Sequence, residues 1–140
     1  MGELDIVLLV VLITVPLIGA GIFFLSGIYV VKKDYSMIVE RNGEFFKEYK
    51  EGRYFLFPIA YKRKALFHLV PLEIDIRIEG LREMVLGYQI VDPVKYYYSK
   101  VNIVDVIKKA HLENEEMSEE ILINSLGEIG IKYISISLKK

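Results

Sequence analysis

Ser137 and Lys140 stand at the spacing of an S-x-x-K pair, in which a lysine amine can take a serine proton. That chemistry needs an oxyanion site as well, and no residue near this pair supplies one. Asp92 is the next candidate, as a general acid or base, but no second carboxylate or histidine stands near it in the chain. Its neighbour Pro93 points to a mechanical use, because proline extends the residue before it and suits the first turn of a helix. His68 alternates with apolar neighbours in ALFHLV, which reads as a half-buried strand position, and His111 falls near the end of a helical segment. Neither has a ligand partner at metal spacing, so no metal is expected. The sequence holds no P-loop, no G-x-S-x-G, no H-E-x-x-H and no cysteine. That removes thiolate catalysis, disulfides and Cys-based zinc sites. The expectation is a protein that is not an enzyme and carries no cofactor.

A different chemistry is written in EGRYFLFPIAYKRK, residues 51–64, where an aromatic and aliphatic run is broken by Pro58 and closed by Lys62, Arg63 and Lys64. Apolar side chains followed by cations suit a membrane surface: the rings enter the headgroup region and the bases reach phosphates. Tyr54, Phe55, Phe57, Pro58, Ile59, Tyr61, Lys62, Arg63 and Lys64 are therefore candidate membrane-contact residues. The competing reading is that alternate residues of RYFLF fill a sheet core, and both can hold for different residues.

What stands upstream gives that stretch its meaning. From Ile6 to Val31 no residue is charged, and these 26 positions would reach roughly 39 Å as a helix, more than a bilayer's ~30 Å hydrocarbon core. This run accounts for a hydrophobic fraction of 53 % in a 140-residue chain. A secretory signal peptide is disfavoured by the acidic start, Glu3 and Asp5, and by the length of the run. Residues 1–31 are thus expected to be a membrane anchor and 32–140 one compact domain. Pro16 and Gly19–Ala20–Gly21 leave open a re-entrant hairpin beside a kinked single span. Lys32 and Lys33 follow the run directly, which predicts the N-terminus outside and the domain in the cytoplasm. The net charge of −1 lacks the dense basic stripe of a nucleic-acid binder, so no nucleic-acid partner is expected.

The remaining elements follow from period and punctuation. SMIVE and EFFKEY read as strands joined by the R-N-G turn at 41–43, where Asn and Gly tolerate positive φ. Gly52 marks the next turn and RYFLF a third strand, ended by Pro58. In LEIDIRIE, residues 72–79, Leu72, Ile74, Ile76 and Ile78 alternate with Glu73, Asp75, Arg77 and Glu79, a strand with one buried and one wet face. Gly80 ends it and MVLGYQIV is its partner. NIVDVIKKAHL reads as a helix capped by Asn102, and SEEILINSLGEIG as one capped by Ser118 with Gly130 at C′. IKYISISL closes the domain as a strand, alternating Ile131, Tyr133, Ser135 and Ser137 with Lys132, Ile134, Ile136 and Leu138. The fold class expected is α+β: an N-terminal transmembrane helix, then a mostly antiparallel sheet with one or two packed helices.

Four stretches, in order, resemble the band 7 or SPFH family of stomatins, prohibitins and flotillins: MIVERNGEF, EGRYFLFPIAYK, LGYQIVDPVKYY and GIKYISISL. The resemblance covers most of residues 30–138 and places Gly43, Gly52, Asp92, Pro93 and Gly130 at structural positions of the family motif. Glu51 stands where the family usually has proline, and a short member that lacks the long coiled coil usual after the domain is expected. The resemblance implies a non-catalytic membrane scaffold that organises a membrane patch or modulates a partner such as a protease, a channel or a larger SPFH assembly. Its implied partners are the lipid bilayer and membrane proteins, other SPFH proteins included. A small homo-oligomer is expected in place of a large ring. Two alternatives stand beside it: a capping subunit of larger SPFH assemblies, and a membrane-bound hydrolase or protease of the stomatin-associated type.

Overall fold

The computed structural model describes residues 2–77, 83–113 and 118–138. The expected strand positions Ile78 and Glu79, the Gly80 turn and Lys139–Lys140 lie outside the described residues. The fold is α+β, with an N-terminal apolar helix followed by antiparallel sheets.

Helix α1, Glu3–Ser26, has 24 residues and runs unbroken through Pro16. At 1.5 Å per residue it extends about 36 Å, and it is long and apolar enough to cross a bilayer. None of its residues is buried. The helix stops before the apolar run does. Gly27 ends it, and Ile28–Val31 form strand β1, so the expected boundary at residue 31 falls four residues late. Val31 is only 2 % exposed in the domain core, so β1 belongs to the folded unit and not to the anchor.

Strands β2 (Tyr35–Arg41), β3 (Glu44–Tyr49) and β5 (Tyr61–His68) make a sheet with β2 in the centre. The β2–β3 hairpin turns on Asn42 and Gly43, with φ of 54° and 94°. Those positive values at both central positions are what a two-residue hairpin demands and what Asn-Gly supplies. Strand β4, Gly52–Phe55, does not extend this sheet; it pairs antiparallel with β1 as a two-stranded ribbon. The ribbon covers one face of β2, where Val31, Met37, Val39 and Leu56 form a small core ringed by tyrosines.

Strands β6 (Leu72–Ile76), β7 (Met84–Ile90) and β8 (Ile131–Leu138) form the third sheet, with β7 central. Its inner face packs Ile76, Leu86 and Ile90 against helices α3 (Ile103–Glu113) and α4 (Glu119–Gly127), through Ile103, Ile107, Leu122 and Leu126. The period-two reading of β6 holds: Leu72, Ile74 and Ile76 face in, Glu73 and Asp75 out. In β8 the strict alternation fails. The register shifts between Gly87 and Tyr88, which pair with Ser135 and Tyr133, so Ile134 is an extra residue. Ile131, Tyr133 and Ile136 therefore share the core face, and Ser137 does not. A bulge reverses the phase of a strand.

Among the described residues three helices follow α1 where one or two were expected. The additional one is α2, Pro93–Ser99, started by Asp92, whose carboxylate accepts from the Lys95 amide at 2.9 Å, with Pro93 at the first helical position. Asn102 and Ser118 cap α3 and α4 as expected, accepting from Val104 and Ile121 amides. Gly130 is not at C′. Helix α4 ends at Gly127, and Gly130 (φ 80°) closes the turn beyond it, where a Cβ would meet the Asp92 carbonyl at 2.5 Å. Its own carbonyl accepts from the Val91 and Asp92 amides, tying the end of β7 to the start of β8.

Candidate functional site

The sequence at 51–64 folds around the end of α1. The register pairs Ile28 with Phe55, Tyr29 with Tyr54, Val30 with Arg53 and Val31 with Gly52. Because neighbours on a strand point to opposite faces, the ribbon has two unlike sides. Tyr29, Val31, Tyr54 and Leu56 turn into the core, while Ile28, Val30 and Phe55 are exposed. Phe57 and Ile59 continue the exposed series beyond the strand, and Ile59 is 73 % exposed.

This outer face is joined to the helix by three contacts. The Leu56 amide donates to the Gly27 carbonyl at 2.8 Å. The Phe57 ring meets Phe23 edge-on at 5.4 Å, and Phe55 stacks on Phe24 at 6.0 Å. Gly27 is required at the crossing, because a Cβ there would lie 2.6 Å from the Leu56 carbonyl and 2.8 Å from the Phe55 ring. Exposed apolar side chains thus flank the junction from Phe24 through Ile28 and Phe55 to Phe57 and Ile59, and Arg53, exposed opposite Val30, adds a cation to the same outer face. Pro58 sits half-buried in a tight turn in which the Ala60 and Tyr61 amides donate to the Phe57 carbonyl.

Of the nine candidate contact residues the structure brings Phe55, Phe57 and Ile59 together on one exposed face. Tyr54 and Tyr61 are packed instead against the small core: Tyr54 donates its hydroxyl to the Lys50 carbonyl at 2.9 Å, and Tyr61 meets Phe46 edge-on. The three bases do not point one way, because they lie in β5 and not in a loop. Arg63, opposite Val39, reaches over the Tyr29 ring at 5.8 Å. Lys64 is the extra residue where the β2–β5 register shifts, and its ammonium meets the Glu40 carboxylate at 3.1 Å. Lys62 is exposed and has no ion pair among the described residues.

Glu40 is 7 % exposed on the second face of β2, where α2 covers the sheet. It also accepts from the Tyr98 hydroxyl at 3.0 Å. Partial burial of that phenol, then the hydrogen bond to Glu40 and the charge of the carboxylate, push it up from 10.0 to about 12. A phenol raised in the folded state adds stability that is complete below the unfolded value near 10 and is lost as the pH climbs through about 12. Comparing unfolding curves of the full chain and Tyr98→Phe should therefore show a difference of about 1 kcal/mol near neutrality that shrinks between these two values. A gap that stays constant across that range would sever Tyr98 from Glu40.

Neighbouring tyrosines of α2 complete the seam: Tyr96 and Tyr97 pack edge-on against Phe67 of β5, and Tyr96 also touches the larger core. The five residues singled out by the resemblance stand at turns and element starts. Gly43 and Gly130 hold turns, Gly52 opens β4, and Asp92–Pro93 starts α2. The residues with catalytic possibilities lie apart. Ser137 is exposed opposite Val85 on the outer sheet face, Lys140 lies outside the described residues, and Asp92 is occupied as a cap. His68 is half-buried against the Tyr35 ring at 4.4 Å, and His111 is on α3. Among the described residues no group of three or more His, Cys, Asp or Glu could hold a metal.

Gly27, Ile28, Val30, Glu40 and Tyr98 belong to this region and were not legible as site residues. For Ile28 and Val30 the signal was masked, because their exposed-buried alternation sits inside an uninterrupted apolar run. No protein-family model matches the chain, and no curated protein matches it.

Proposed function

We propose that the chain is a membrane-anchored, non-catalytic scaffold of the SPFH or band 7 type, whose ribbon β1–β4 and Pro58 loop rest on the bilayer beside the anchor. The apolar face that continues from α1 through Phe55 and Phe57 to Ile59 carries this reading. A face of this kind at the mouth of a spanning helix is stable only against lipid or another apolar surface. Placing it in the headgroup region fixes the height and tilt of the domain. The exposed Lys32 and Lys33 just past the ribbon's first strand, set against Glu3 and Asp5 at the other end of α1, favour a cytoplasmic domain. The SPFH assignment rests on the four sequence stretches, which supply the β2–β3 hairpin, strand β4 with the Pro58 loop, the β7–Asp92–Pro93 junction and the closing strand. A domain held flat in this way is suited to lateral packing with membrane proteins or with other SPFH domains.

The native chain has no tryptophan, so a single one reports its own depth. In phosphatidylcholine vesicles the full-length Ile59→Trp variant is expected to be quenched several-fold more strongly by lipids brominated near the headgroup than Leu112→Trp on the exposed side of α3. Equal, weak quenching at both positions would remove the bilayer from this face.

A further inference from the structure

A cavity of about 340 Å³ opens where the β2–β3 turn meets the Pro58 loop. Asn42 and Gly43 form one wall, Ile59 another, and Glu40, Lys62 and Lys64 line the rest. The Asn42 amide donates to the Ala60 carbonyl at 3.3 Å, which holds the two walls together. The cavity shares Ile59 with the apolar face, and Phe57, two residues away, touches α1. It therefore opens at the end of the domain nearest the anchor.

Its charges are unequal. Glu40 is compensated inside the protein by Lys64 and by the Tyr98 hydroxyl. Lys62 stands directly across from Glu40 in the β2–β5 register and makes no ion pair among the described residues, so the three charges that line the cavity sum to one net positive. Arg63 plays no part, being turned to Tyr29. An anion that meets a lysine beside an apolar wall has the character of a phosphate at a membrane surface.

We infer that this cavity binds the phosphate of an anionic headgroup, with Lys62 as the contact while Lys64 stays paired with Glu40. The inference rests on the bilayer-facing reading of Ile59, and it adds a defined site to what would otherwise be diffuse attraction. A soluble phosphate monoester offers the same group and is separated from lipid by the test.

The full chain would be placed in nanodiscs and the amide resonances of Asn42 and Gly43 followed by NMR. One series adds phosphatidylglycerol to phosphatidylcholine; the other adds glycerol phosphate to phosphatidylcholine discs. Saturable shifts are expected with phosphatidylglycerol. Lys62→Gln should weaken them about fivefold, the effect expected of one lysine at an anionic surface. Lys62→Arg should keep them, and Lys108→Gln on the exposed side of α3 should change nothing. Shifts produced only by glycerol phosphate would retain the phosphate site and assign it to a soluble ligand. No shift in either series, or shifts of undiminished affinity in Lys62→Gln, would overturn the inference. Because Ile59→Trp quenching is read in phosphatidylcholine alone, it can succeed while this site fails, and the two conclusions fall separately.

Discussion

Ile76→Asp is expected to destabilise the domain by about 4 kcal/mol or more at neutral pH, enough to unfold much of the population. Ile76 is 0 % exposed, and its neighbours are the inner faces of the third sheet and helices α3 and α4. Among the described residues its neighbours are apolar, so a carboxylate placed there gains no ion pair. It would be held protonated, with its pKa raised, so the penalty should ease as the pH falls below the unfolded value near 4 and grow above it. Arg77→Asp, one residue further on, meets the opposite environment. The Arg77 side chain is largely in solvent and pairs with Glu83 at 2.6 Å. Losing an exposed pair of this kind costs about 1 kcal/mol or less, and the new repulsion from Glu83 adds little in water. Urea unfolding of the full chain in mild detergent, followed by tyrosine circular dichroism, separates the two. Equal losses would contradict the face assignment of β6 and with it the sheet.

Gly27→Val should cost about 3 kcal/mol and, more tellingly, part the anchor from the ribbon. The backbone at Gly27, with φ of −85°, accepts any side chain, so the effect is purely one of space. A Cβ would stand 2.6 Å from the Leu56 carbonyl, a backbone atom on the strand that Gly27 itself holds by the 2.8 Å hydrogen bond. Relief requires β4 to move off the helix, which breaks that bond and the stacking of Phe24 on Phe55. Gly19→Val is the matched control, since nothing lies within 4 Å of its Cβ position. In vesicles, Ile59→Trp quenching should fall when combined with Gly27→Val and stay unchanged with Gly19→Val. Quenching indifferent to Gly27→Val would mean that the loop finds its position independently of the α1 junction.

The parts of this protein that were readable from residue order are those where local chemistry and environment agree. Strand β6 alternates because it has one dry and one wet face, so its period is a direct print of its surroundings. The β2–β3 turn had to contain residues tolerant of positive φ, and Asn42–Gly43 say so by type. Asp92–Pro93, Asn102 and Ser118 announce helix starts by the hydrogen bond or the fixed φ they bring. An apolar stretch as long as Ile6–Val31 is likewise its own evidence, because its length is compared with a fixed thickness of hydrocarbon.

What tertiary structure alone decided is which surface each residue meets. SMIVE carries no clean period because β2 is covered on both faces, by the ribbon and by α2, and Glu40 is buried there only because Lys64 and Tyr98 come to it from elsewhere in the chain. Strand β1 is indistinguishable in composition from the end of the helix; pairing with β4 is a non-local event, and it, not hydropathy, ends α1 at Ser26. The candidate contact series is divided by the fold for the same reason. Strand geometry sends Tyr54 and Tyr61 inward while Phe55, Phe57 and Ile59 stay out. One added residue at Lys64, and another at Ile134, turn side chains to the opposite face. A bulge changes orientation without changing composition, so three consecutive bases look alike as letters and meet a carboxylate, a ring and open water in the fold.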